Sequence, residues 1–171
     1  MVFSLLALGN LIFNTLIDVY QIFGTPSLPG INAIKHGVDR HTRIAKAYAV
    51  MQQSPEVVML GSSRAESAFD PRHPTFSSLS SYNLAFSGAA IYEQFRYLQH
   101  AAHTGQLKKA VVALDFHQFL DDQQKLSSDF REDRLGVDSG GTAQHFPWFD
   151  AISLVASGSA FKESWWSLRH Q

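Results

Sequence analysis

Three short polar blocks of this sequence carry side chains that could do chemistry. They are residues 61–64 (GSSR), 87–89 (SGA) and 115–117 (DFH). The first two blocks lead into sequence that can form a helix, and the free N–H groups at the start of a helix favour an anionic oxygen. The blocks therefore predict a site that contacts such an oxygen.

Two pairs of side chains allow further readings. Asp115 and His117 lie two residues apart, so their side chains share a face if the chain is extended there. Such a pair can be a base with its orienting group, two metal ligands, or a structural hydrogen bond, and we favour the last. His100 and His103 lie away from the apolar face of their helix, so we expect both to be solvated. We expect no metal site and no cofactor.

Each polar block follows an apolar run that is typical of a buried parallel strand. The runs are residues 57–60, 82–86 and 110–114. Strands that alternate with helices predict an α/β domain with a parallel sheet, in which ligands bind beyond the carboxyl ends of the strands. The helix between the second and third strands is expected to begin after Ser87, to end at Gly105 and to bury one apolar face. That face consists of Ile91, Phe95, Leu98 and Ala102.

The N-terminal segment Val2–Ile17 contains no charged residue. At 1.5 Å per residue it spans about 24 Å as a helix, and extension to Phe23 brings it to the thickness of a bilayer core, about 30 Å. We therefore predict a transmembrane or signal-anchor helix over residues 1–23. A buried amphipathic helix and a cleaved signal peptide are the alternatives. The nearby basic residues all follow the segment, which leaves its orientation open.

The rest of the chain divides by composition. Residues 24–54 read as a linker and a helix, and residues 55–171 as the α/β domain. Within that domain, residues 121–145 are polar and lack a clear period, so we expect a long loop or lid. Residues 148–169 predict two short helices with a hinge at Gly158-Ser159.

Composition limits the possible functions. The chain has 171 residues, no cysteine and a formal net charge of −1. Without cysteine there is no disulfide, thiol nucleophile or cysteine-ligated zinc site. The balanced charge argues against a nucleic-acid partner.

From Val57 to Phe119 the chain resembles the SGNH/GDSL hydrolase superfamily. The stretches that carry the resemblance are VVMLGSSRAESAFDP, YNLAFSGAAIYEQFRYLQHA and KKAVVALDFHQF. More narrowly, it resembles bacterial membrane-anchored SGNH-like proteins in which the G-D-S block is written G-S-S-R, and residues 13–35 look like their anchor-proximal part. The resemblance implies a three-layer, flavodoxin-like parallel sheet. With three strands where that fold uses about five, we expect the sheet to be incomplete and the chain to be the N-terminal portion of a longer protein.

The resemblance also implies roles for individual residues. Ser63 falls at the position of the nucleophile, and the N–H groups of Ser63 and Gly88 at those of the oxyanion donors. His117 stands where the superfamily has an asparagine donor. Secondary candidates are Ser62, Arg64, Asn83 and Asp115.

The catalytic D-x-x-H of the superfamily has no counterpart after His145. Asp70-Pro71-Arg72-His73 has the spacing, but it lies a few residues after Ser63 in a turn bracketed by prolines. We do not assign it as the base. Arg64 is expected to form a salt bridge with Glu66 or Glu93.

The resemblance implies a membrane-anchored O-acyl ester hydrolase or acyltransferase that acts on cell-surface glycans. It would lie in the bacterial inner membrane with its globular part in the periplasm, and it would be inactive as this chain because the base is missing. The alternative is a non-catalytic SGNH-like scaffold or glycan-binding membrane protein. A weaker option is a cytoplasmic-facing nucleotide or phosphate binder that uses the helix N-termini at Ser62 and Ser87, although no G-x-G-x-x-G or P-loop motif is present. The oligomeric state is left open.

Overall fold

The computed structural model describes residues 2–120 and 125–171. It contains helices and three strands in the following order: α1 (Val2–Ile17), α2 (His36–Arg40), α3 (Thr42–Gln53), β1 (Val57–Leu60), α4 (Ser63–Ala68), β2 (Ser81–Asn83), α5 (Ile91–His103), β3 (Lys109–Val112), α6 (Trp148–Ala156) and α7 (Gly158–Arg169). Short 3-10 helices lie at Pro74–Phe76, Phe116–Phe119 and Glu132–Arg134. The chain forms two compact units, one of residues Val50–Phe146 and one of Met1–Ala49 with Pro147–Gln171.

The unit formed by Val50–Phe146 contains a three-stranded parallel sheet in the order β2-β1-β3. Val58 of β1 pairs with Tyr82 on one side and with Ala110 on the other. All of β1 is buried because it is the central strand. The prediction of an α/β fold with parallel strands is therefore confirmed.

The prediction of a parallel strand within residues 110–114 is confirmed, but the prediction that it is buried is wrong. β3 covers Lys109–Val112 and is an edge strand. Val112 is 46% exposed and Leu114 51% exposed, because no described element pairs with the outer side of β3.

The predicted buried face of α5 is also wrong. Phe95 is 51% exposed, and the helix instead buries a polar face that includes Arg96 and His100. The backbone after Phe130 satisfies part of this polar face. Arg96 Nη2 donates to the carbonyl of Val137 at 2.9 Å, and His100 Nδ1 accepts the N–H of Gly136 at 2.8 Å. His100 is thus fully buried rather than solvated.

The predicted loop at residues 121–145 also contributes to the core. Phe130, Leu135 and Val137 are buried, and the ring of Phe130 lies 6.1 Å from that of Tyr97. This part of the loop therefore covers α5 rather than hanging free as a lid. Residues 121–124 of the prediction lie outside the described residues.

In the other unit, α1 ends at Ile17, so the predicted continuation of the helix to Phe23 is wrong. Asp18 adopts a positive φ of 50°, and its buried carboxylate accepts the N–H of Ile22 at 2.7 Å and that of Thr25 at 3.0 Å. These bonds turn the chain away from the helix axis. Across the described residues, no helix has the length and hydropathy needed to cross a membrane.

α1 packs against the two C-terminal helices of its unit. The amide of Asn14 donates to the carbonyl of Val155 at 2.7 Å, and the rings of Phe13 and Phe161 lie 5.7 Å apart. The predicted two C-terminal helices are present, but the break between them falls at Ser157 rather than at Gly158-Ser159, which begin α7. Ser157 caps α7 by accepting the N–H of Ala160.

Asp18 also pairs with a buried cation. Lys35 Nζ lies 3.7 Å from its carboxylate, and both side chains are nearly inaccessible. Burial lowers the pKa of Lys35, and Asp18 opposes that shift. Removal of one partner of a buried ion pair leaves an uncompensated charge.

We therefore expect Asp18→Ala to lower the free energy of unfolding by about 3–5 kcal/mol. Asp39→Ala, which removes an exposed carboxylate from α2, should change it by no more than about 0.5 kcal/mol. Urea unfolding followed by circular dichroism measures both values. Equal losses in the two variants would contradict this role of Asp18.

Candidate functional site

The structure brings the three polar blocks together at the carboxyl ends of the strands. Residues 62–64, 88–89, 115, 117 and 118 contribute to the lining of one cavity of about 240 Å³. The parallel order of the sheet is the reason, since the carboxyl ends of parallel strands meet at one edge.

The turn after β1 depends on glycine. A Cβ at Gly61 would lie 2.4 Å from the Cβ of Ala65 and 3.0 Å from the carbonyl oxygen of Ala113, so no side chain fits. Ser62 then caps α4, because its Oγ accepts the N–H of Arg64 at 3.3 Å.

Asp115 joins the end of β3 to the block after β1. Its Oδ2 accepts the hydroxyl of Ser62, and its Oδ1 accepts Nη1 of Arg64 at 2.8 Å. The salt bridge expected from Arg64 to Glu66 or Glu93 is therefore wrong, since Arg64 pairs with Asp115.

These contacts change the pKa of the Asp115 carboxyl. The hydrogen bond from Ser62, followed by that from Arg64, holds the pKa of Asp115 below its ordinary value. Hydrogen bonds of this kind favour the ionised carboxylate. Each carboxylate oxygen of Asp115 thus accepts a hydrogen bond from a residue other than His117.

The two adjacent serines have different surroundings. Ser62 is buried and bonded to Asp115, whereas Ser63 is exposed and lines the cavity. His117 is exposed and lines the same cavity. A molecule that enters the cavity therefore meets the Ser63 hydroxyl rather than that of Ser62.

Gly88 also lines this cavity, and it has no bulky neighbour. A Cβ at this position would meet nothing within 4 Å, so close packing of strand and helix does not explain the glycine. Its φ of +66° does, because this left-handed conformation is easy for glycine and strained for most other residues.

Asn83 does not line the described cavity. Its Nδ2 donates to the carbonyls of Glu66 at 3.0 Å and Phe69 at 2.9 Å, and its Oδ1 accepts the N–H of Ala85 at 3.1 Å. The side chain closes the carboxyl end of α4, which is a structural task.

Gln118 is a member of the site that sequence reasoning missed. It is buried, its Oε1 accepts the N–H of Asp115 at 2.8 Å, and its Nε2 donates to the carbonyl of Ala89 at 2.7 Å. It thus ties the third block to the second. The D-x-x-Q spacing of Asp115 and Gln118 is a capping-box pattern, and it could have indicated the bond between the Asp115 N–H and the Gln118 side chain.

The D-x-x-H sequence at residues 70–73 lies elsewhere. Asp70 bonds to the backbone and side chain of Arg72, and His73 accepts the N–H of Thr75. Neither residue lines the cavity described above. Within residues 2–120 and 125–171, no group of three or more His, Asp and Glu side chains is arranged to hold a metal ion.

Comparison of the chain with protein-family models, with curated proteins and with solved structures finds no match. The SGNH resemblance therefore stays a prediction.

The acidity of Asp115 gives a direct test of the contacts at this cavity. Carbon-detected NMR should find its pKa below the ordinary value in the unmutated chain, with a rise in Ser62→Ala that exceeds the rise in Arg64→Ala. Ser67→Ala, a matched change on an exposed face of α4, should leave it unchanged.

The sign of the linked stability follows from the same shift. A carboxyl with a depressed pKa stabilises the fold above its unfolded-state pKa, and this contribution is lost as the pH falls through the folded-state value. Acid unfolding of Ser62→Ala should therefore begin at a higher pH than that of Ser67→Ala. The same onset in both would contradict the assignment.

Proposed function

We propose that the cavity at the strand ends is an SGNH-like acyl-transfer site with Ser63 as its nucleophile. The observation that supports this is the exposure of Ser63 on a cavity that Gly88 and His117 also line. An acyl-transfer site needs a reachable hydroxyl and donors for the developing oxyanion.

The proposed reaction begins when Ser63 Oγ attacks the carbonyl carbon of an ester and its proton passes to a base. The backbone N–H groups of Ser63 and Gly88 donate to the oxyanion. His117 donates as the third group through an imidazole N–H, in place of the superfamily's asparagine.

The base is the limiting part of this proposal. Among the described residues that line the cavity, Asp115 is the one carboxylate, and it is bonded to Ser62 and Arg64. In this arrangement the carboxylate binds Ser62 and Arg64 rather than an imidazole that could take the proton of Ser63. We expect slow, stoichiometric modification of Ser63 by this chain rather than turnover.

The substrate class and location come from the resemblance. O-acyl esters of cell-surface glycans are the proposed substrates, for hydrolysis or for acyl transfer. The proposed location is the periplasmic side of the bacterial inner membrane, with no cofactor.

A lipid surface is the proposed partner of α1. The helix carries no charge, and Leu5, Leu8, Ile12 and Leu16 form an exposed stripe at helical spacing. In the same unit, Trp148 of α6 and further aromatic side chains of α7 are exposed, and tryptophan favours the membrane–water interface. We propose that α1 binds a membrane through this exposed stripe.

A fluorophosphonate tests the role of Ser63. Attack by Oγ forms the O–P bond, fluoride leaves, and the proton passes to added imidazole, so imidazole should speed the labelling. Intact-mass spectrometry should find one adduct on the unmutated chain and on Ser67→Ala, and none on Ser63→Ala. The absence of a Ser63-dependent adduct on folded protein would overturn the catalytic proposal.

Vesicle sedimentation tests the lipid surface. The chain should bind vesicles of phosphatidylethanolamine and phosphatidylglycerol. Leu8→Glu should reduce binding at least about tenfold, because a charge replaces apolar area that the membrane would bury on binding. Leu126→Glu changes an exposed leucine of the other unit and should bind as the unmutated chain does. Equal binding by both variants would contradict the role of α1.

A non-catalytic SGNH-like scaffold that binds glycans is the second candidate. The bonds of Asp115 to both Ser62 and Arg64 favour it, because the one carboxylate on the described lining then binds these two residues rather than a catalytic base. This candidate predicts calorimetric binding of an acylated oligosaccharide that survives Ser63→Ala, with no phosphonyl adduct under any condition.

A further inference from the structure

One side of α7, the α7 face, combines aromatic and basic side chains. Its exposed residues are Phe161, Lys162, Trp165, Trp166 and Arg169. Residues three and four positions apart on a helix are neighbours on its surface, so Lys162, Trp165 and Arg169 form one continuous strip. The opposite side of the helix is buried and presents Ala160, Ser164 and Ser167. The largest aromatic side chains of α7 therefore face outward, while small side chains face the interior.

The charge of the α7 face is entirely positive. Glu163 is the one acidic residue of α7, and it lies outside this face. Its carboxylate is largely buried and pairs with Arg40, whose Nη1 lies 2.9 Å from Oε1. The α7 face therefore presents the cations of Lys162 and Arg169 with no carboxylate of the same helix between them.

Each indole ring of the α7 face has a basic neighbour. The guanidinium carbon of Arg169 lies 5.5 Å from the centroid of the Trp165 ring, which is the arrangement of a cation–π contact. The imidazole of His170 stacks on the ring of Trp166 with 3.8 Å between their centroids. These contacts hold the indole rings and the basic groups close together at the surface.

The unit that contains α7 also differs in net charge from the other unit. It has six Lys and Arg against four Asp and Glu, whereas the other unit has eight against eleven. A negatively charged surface therefore attracts the unit of α7 and repels the other one. Within its unit, α7 packs against α1, which carries no charge. Of these two helices, α7 is the one that can recognise the charge of a partner.

We propose that the α7 face binds anionic phospholipid headgroups at a membrane surface. Trp165 and Trp166 lie at the level of the headgroups, where indole rings are favoured. Lys162 and Arg169 donate to the headgroup phosphates. This inference rests on the proposed membrane contact of α1 and adds to it the class of lipid. A nucleic acid also offers phosphates, but it has no apolar layer for the exposed leucines of α1.

A tryptophan variant tests the aromatic part of this contact. Trp165→Ala should weaken sedimentation with vesicles of phosphatidylcholine and with vesicles that contain phosphatidylglycerol, because an indole ring favours the interface whatever the headgroup charge. Phe116→Ala removes an exposed aromatic side chain of the other unit and should bind as the unmutated chain does. Equal binding by the two variants would contradict the role of Trp165.

The same two kinds of vesicle test the headgroup preference. The unmutated chain should bind vesicles that contain phosphatidylglycerol at least about tenfold more tightly than vesicles of phosphatidylcholine alone, because each basic side chain at an anionic surface strengthens binding about fivefold. Lys162→Gln/Arg169→Gln should bind both kinds of vesicle about equally. Arg72→Gln/Lys109→Gln removes one Arg and one Lys from exposed positions of the other unit and should keep the preference.

The outcomes separate this inference from the proposed contact of α1. Equal binding of the unmutated chain to both kinds of vesicle would overturn the inference and leave the contact of α1 in place, which Leu8→Glu tests. Equal effects of the two double variants would overturn it as well. A dimer without vesicles that Lys162→Gln/Arg169→Gln dissociates in sedimentation equilibrium would identify a second copy as the occupant and overturn the proposal. Circular dichroism checks that each variant is folded.

Discussion

Parallel pairing of β1 with both of its neighbours is the constraint on which the candidate site depends. Because all three strands run in one direction, their carboxyl ends meet at one edge, and the polar block after each strand arrives there. The central position of β1 explains why it is wholly buried and why Gly61 must be glycine, since α4 and β3 crowd its carboxyl end.

Asp115 converts this convergence into a defined arrangement. By binding Ser62 and Arg64, Asp115 joins the carboxyl ends of β1 and β3. Ser62 and Asp115 are 53 residues apart in the sequence. Gln118 joins the same segment to the turn at Ala89. The contacts that organise the cavity therefore use its carboxylate. Asp115 binds Ser62 and Arg64, the two neighbours of Ser63, rather than a base that could take the proton of Ser63. This opposition separates the two candidate functions.

Local patterns predicted the parallel strands and the three polar blocks, because a short apolar run before a glycine or a polar cap is informative by itself. They could not predict which face of α5 is buried. Its apolar stripe contains Phe95, and its polar face contains Arg96 and His100. A carbonyl and an N–H group from residues 136–137 bind Arg96 and His100 of this buried face, and those two residues come more than thirty positions later in the sequence.

The same limit applies to the exposed edge and to the first helix. The run at residues 110–114 has the composition of a central strand, but composition does not state how many strands follow it. Asp18 was visible as the first charge after the apolar segment. Its role in ending α1 depends on later residues that donate to it or pair with it, among them Ile22, Thr25 and Lys35. The hydropathy of the apolar segment does not predict these contacts.

The most direct test of the account is a crystal structure of the chain after reaction with a fluorophosphonate. The account predicts phosphorus bonded to Ser63 Oγ, with a phosphonyl oxygen about 2.7–3.1 Å from the backbone nitrogens of Ser63 and Gly88. A phosphonyl group on another residue, or one on Ser63 whose oxygens point to solvent away from Gly88, would contradict it.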